Sequence, residues 1–234
     1  MKTIASLLLI ASCTVACNSS SFHGRHRASN LTVNDDILVY VPESERDDIA
    51  KARTDLNAME DRVAIAESNV EQEKKRRDLS QGELRAAEVE VDNAEKALEV
   101  ARTSAESSRE REVQEANRMI EDARARRRAA QSKIWFHDTR IEQLEAAVEL
   151  TEAQVELAEA KVELAKAEAV HELDRPESRD ISVSEFRACV EEREAEVALA
   201  EVDAEAWEKK VKLRQDLLDA RQKAREASHD TAKE

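Results

Sequence analysis

Turn-making residues are almost missing from this sequence. Its 234 residues include two glycines and two prolines, where a globular chain has about 7% and about 5%. Tight turns draw on these residues, so the chain can make few of them. A sheet-based or α/β domain, with a turn roughly every ten residues, is excluded on that ground. Aromatics are only 3% of the chain, which removes the side chains that usually dominate a large core. No apolar run reaches the ~18 residues of a membrane-spanning helix. Glycine-rich phosphate loops, HExxH, CxxC and the nucleophile elbow are all absent. No catalytic residue, cofactor or metal set is therefore assigned. The His23–His26 pair lacks further ligands, and His137-Asp138 and His171-Glu172 are isolated.

Alanine, glutamate, leucine, lysine and arginine fill the space instead. Charged residues make up 38% of the chain and the formal net charge is -15. Phosphate-binding surfaces need net basic charge, so no nucleic-acid partner is expected. The runs Lys74-Lys75-Arg76-Arg77 and Arg124-Ala125-Arg126-Arg127-Arg128 are short and set in acidic sequence; they read as solvated or interhelical faces. Such charge also suits a disordered chain, but here the apolar residues are periodic.

The period is seven. Leu56, Val63, Val70, Arg77, Leu84, Val91 and Leu98 mark one position, with Met59, Ala66, Ala87, Ala94 and Ala101 three residues on. These are the a and d positions of a coiled coil. The period resumes one residue out of phase at Val113, Ile120, Ile134, Ile141, Val148, Val155 and Val162. Its d positions include Ala116, Ala123, Ala130, Leu144, Ala158 and Ala165. The triplet Val-Glu-Leu recurs from Val148, Val155 and Val162 and widens the stripe, which suits a helix with two neighbours. The phase slip falls in the polar stretch 103–112, either a stutter in one helix or a hairpin turn. Gly82 and the nearby basic run allow a kink as well.

The firm break is 174–182, around Pro176. Ser182 and Glu185 have capping-box spacing, and Ile181 and Phe186 that of a hydrophobic staple. The last helix, 183–229, keeps the period at Val190, Val197, Ala204, Val211 and Leu218 and ends in a tail, 230–234. The short break predicts that this helix folds back antiparallel. A glutamate stripe from Glu142 to Glu163 would then meet Arg193 near Glu163 and Arg214 near Glu142. The expected fold is all-α: a long antiparallel coiled-coil hairpin or an elongated two- to three-helix bundle. Its body is a helix over 44–173, with Ser44 as N-cap and a break at 103–112 left open. The same heptads would serve a homo-oligomer.

The N-terminus has a different character. Lys2 precedes a short apolar run, 4–11, then small residues and cysteine, the layout of a secretory signal peptide. Thr14-Val15-Ala16-Cys17, and as an alternative Ile10-Ala11-Ser12-Cys13, resemble the lipobox of bacterial lipoproteins. That resemblance implies a signal peptide over 1–16 and lipid attachment at Cys17, with Cys13 the second choice. Thr14 departs from the commonest leucine. Asn18, rather than Asp, follows Cys17, which within the family implies the outer membrane, facing the periplasm. Residues 17–43 read as a disordered tether with a β-prone run, 37–41. Cys189 reads as a small half-buried apolar residue. Trp135, Phe136 and Trp207 read as core caps or a partner-binding spot. The expected function is a lipid-anchored spacer, scaffold or tether with a protein partner in the envelope. The alternative is a holding chaperone gripping clients between helical arms.

Overall fold

A computed structural model describes residues 31–173 and 176–231. Three long helices make up nearly all of it: α1 (Glu43–Thr103), α2 (Glu106–His171) and α3 (Val183–Thr231). No strand occurs among the described residues. The fold is all-α, a helical hairpin with a third helix laid back on it. At about 1.5 Å per residue, α1 and α2 each run about 90–100 Å and α3 about 75 Å.

The stretch 103–112 holds a hairpin turn, so the 44–173 helix is two helices rather than one. Ser104 and Ala105 alone link them, both in extended conformation (φ -66°, ψ 164° and φ -55°, ψ 145°). Neither needs positive φ, which is why no glycine marks the turn. Side chains tie it down: Thr103 Oγ1 donates to the Val100 carbonyl at 2.8 Å, and Arg109 donates twice to that of Ser104. The amides of Ser108 and Arg109 close on the Ala105 carbonyl. Gly82 and the basic run sit inside unbroken α1.

Antiparallel pairing follows. Arg124 meets Glu95 at 2.8 Å, Arg126 meets Glu90 at 2.8 Å, and Lys133 meets Glu83 at 2.7 Å. Between these flanks lies the alanine-rich seam. Ala87, Val91, Ala94 and Ala101 of α1 are buried, as are Ala116, Ile120, Ala123 and Ala130 of α2. Small d residues let the two backbones come close, which these polar helices need because neither has a wide apolar face along this stretch.

From Ser132 to its end, α2 also carries α3 on another side. Arg187 binds Glu168 at 2.7 Å and Arg221 binds Ser132 at 2.6 Å, so α3 runs antiparallel to α2 as expected. The widened Val-Glu-Leu stripe serves two neighbours. Arg193, however, meets Glu156 at 2.6 Å, and Arg214 lies beside Trp135, each one heptad away from the partner expected for it. Glu163 is already taken: it accepts from the Val33 amide at 2.7 Å and from Lys166 at 2.7 Å.

Two local expectations are overturned. The run 37–41 is no strand; Asp35–Tyr40 is a 3-10 helix, capped by Asn34 Oδ1 accepting from the Asp36 amide at 3.0 Å. Val33 and Val41 are buried, so this part of 17–43 is packed rather than a free tether. Helix α1 begins at Glu43 with Pro42, not Ser44, at the cap. Proline presets the entry dihedral, and Arg46 reaches back to the Val41 and Val39 carbonyls at 2.9 and 3.0 Å. At the α3 start, the Ser182 carbonyl accepts from the Glu185 amide at 2.9 Å, and Phe186 is buried.

Candidate functional site

The residues assigned to lipid attachment, Cys17 and its alternative Cys13, lie outside the described residues, as do His23 and His26. Within the described residues no helix is long and apolar enough to cross a membrane. No group of three or more His, Cys, Asp or Glu is placed there to hold a metal ion. The chemistry of the helical body lies in three polar contacts and one notch.

The first contact sits mid-seam between α1 and α2. His137 Nδ1 lies 2.7 Å from Glu73 Oε1, and Arg76 donates to Glu73 Oε2 at 3.1 Å. The Glu73 side chain is 5% exposed and that of His137 15%. A buried carboxylate is costly unless paired; here it has two partners. Heptad reading missed both residues, because polar side chains were not counted at the d positions. Their spacing was the available signal: Glu73 lies three residues after Val70, and His137 three after Ile134.

The second contact closes the base of the hairpin. Lys166 is buried and bridges Asp35 at 2.8 Å and Glu163 at 2.7 Å. Burial pulls the Lys166 ammonium down, but its bonds to Asp35 and Glu163 outweigh this and hold it above its ordinary value. Its hydrogen bond in turn lowers Asp35. Beside the bridge, Ala167, Val170 and Val41 are at most 2% exposed.

The third contact lies between α2 and α3. Arg193 binds Glu156 and Glu196, each at 2.6 Å. Glu159 is raised by partial desolvation and by the like charges of Glu156, Glu60 and Glu163. The glutamate stripe is thus neither all paired nor all solvated. Glu145 and Glu156 find cations at Lys74 and Arg193, while Glu142, Glu149 and Glu152 are exposed.

Ser132, Trp135 and Phe136 of α2 line a shallow notch with Arg214, Leu217, Leu218 and Arg221 of α3. Trp135 is half exposed there. Trp207 lies elsewhere, its ring 3.5 Å from the Lys210 ammonium. Cys189 is a free, half-buried thiol. No family model matches this chain, and no curated protein or solved structure matches it either.

Proposed function

We propose that this chain is a lipid-anchored coiled-coil scaffold or tether of the bacterial cell envelope. The observation that carries the reading is Thr14-Val15-Ala16-Cys17 directly behind a short apolar signal-like run. Acyl chains on one cysteine supply a strong membrane anchor when several are present. The paired α1 and α2 would then supply a partner-binding arm about 90 Å long. The residues beside the hairpin turn support a scaffold over a client-gripping chaperone. Val89, Val100 and Met119 are exposed there, but as single side chains among glutamates and arginines.

Metabolic labelling with a palmitate analogue tests the anchor. Wild type should label and Cys17→Ser should not. Label that survives in Cys17→Ser and disappears in Cys13→Ser would move the site to Cys13. A wild-type chain that never labels ends the lipoprotein reading. Crosslinking in intact envelopes would then name the protein held by the arm.

A further inference from the structure

Helix α3 has two apolar stripes, and only one is used. Val190 and Val211 are buried, and Val197, Ala204 and Leu218 half-buried, all on the side toward α2. On the opposite side, Ala188, Ala195, Leu199, Val202, Ala206 and Leu213 recur at spacings of three, four and seven. All six are exposed, with Leu199 at 67%, Val202 at 64% and Leu213 at 62%. A helix apolar on two opposite sides is a helix with two neighbours, and α3 has one. Single exposed apolar residues need no explanation, but a periodic row of them does.

The charges say what kind of neighbour fits. From Val183 to Ala206, α3 carries eight acidic and two basic residues; from Trp207 to Lys223 it carries three acidic and six basic. One half is strongly negative and the other positive. A helix polarised in this way complements a reversed copy of itself, while a parallel copy would set like charge on like. We propose that the outer face of α3 pairs antiparallel with the same face of a second copy of this chain, about a two-fold axis at Ala206.

That axis makes the face self-complementary, as an isologous interface requires. Ala206 meets its own counterpart. Leu199 falls opposite Leu213 of the second copy, and Ala195 opposite Leu217. On the flank, Asp203 falls within one residue of the level of Lys210 of the second copy. Lys210 is held beside the stripe by its contact with the Trp207 ring at 3.5 Å. The contact occurs twice by symmetry.

The test uses the full-length chain with Cys13, Cys17 and Cys189 changed to serine, so that lipid and native thiols play no part. Sedimentation equilibrium should show a dimer. Leu199→Glu and Leu213→Glu should each weaken it by at least about tenfold. Both side chains point away from α2, so circular dichroism should be unchanged. Ala206→Cys should crosslink to itself under mild oxidation. Direction is read by charge: Asp203→Lys and Lys210→Asp chains should each pair poorly alone and pair with each other when mixed. A chain monomeric up to its solubility limit overturns the proposal. So does a dimer indifferent to Leu199→Glu and Leu213→Glu, or one in which the mixed charge variants do not pair. Association with vesicles or with another protein, without self-pairing, overturns it as well.

Discussion

Glu73 and His137 hold places that a coiled coil usually gives to apolar side chains. Each would be costly alone, since a buried polar group without a partner loses about 1–3 kcal/mol. Together, with Arg76, they are satisfied. Glu73→Ala should therefore lower stability by about 1–3 kcal/mol in urea denaturation. The double variant Glu73→Leu with His137→Leu should recover most of that loss, because an apolar pair can replace a buried polar one at little cost. A double variant no better than Glu73→Ala would show that the pair is not the reason for the loss. Glu159 has the opposite character. Its folded value lies above the ordinary 4.5 because partial desolvation and three neighbouring glutamates disfavour its charge. Ionised Glu159 thus costs stability at neutral pH, and the cost lifts as pH falls through the folded value towards and below 4.5. Glu159→Gln should melt higher than wild type at pH 7, and the two should converge near pH 4. Asp35, held low by Lys166, still contributes there, since its stabilisation is lost only as pH falls through its own lowered value. At this scale the sequence was least informative. Spacing locates a seam position, but only the opposite helix shows whether a polar side chain there meets a partner.

Among the elements, α2 is the one both others need. Its seam with α1 is narrow and alanine-rich, and its second side receives α3, whose Val190, Val211 and Phe186 are buried. Burial should dominate that second contact, since each buried Val or Phe contributes roughly 1.5–3 kcal/mol. The exposed pair of Arg187 with Glu168 adds about 0–1 kcal/mol. Val211→Asp should accordingly raise hydrogen exchange across α3, leaving α1 and the facing half of α2 protected, while Arg187→Ala should leave the pattern nearly unchanged. Equal effects would mean that charge, not burial, holds α3. Heptads, the break at Pro176 and the restart after Ser182 were all legible in advance. The hairpin turn was half legible. The phase slip showed where the seam stops, but Ser104 and Ala105 turn the chain in ordinary extended dihedrals, which leave no glycine or proline behind. The 3-10 helix Asp35–Tyr40 was misread because β-branched residues speak for a strand only when another strand is there to pair with.

For the whole chain, composition settled the class. Two glycines, two prolines and a seven-residue period leave little besides long paired helices. Composition could not rank the contacts, because a hairpin and an intermolecular coil draw on the same residues; a two-residue turn decides in favour of the hairpin for α1 and α2. That turn also governs the order in which the structure can assemble. Ala101 and Ala116 are separated by a short loop and can meet at little entropic cost, whereas Val33 and Glu163 are 130 residues apart. Pairing that starts at the turn shortens the remaining loop with each layer added, so the helices can close like a zipper towards the base. The closing step then falls on Val41, Ala167 and Val170, all at most 2% exposed, and on the bridge from Lys166 to the exposed Asp35. A zipper normally frays at its open end; this one finishes on a clasp.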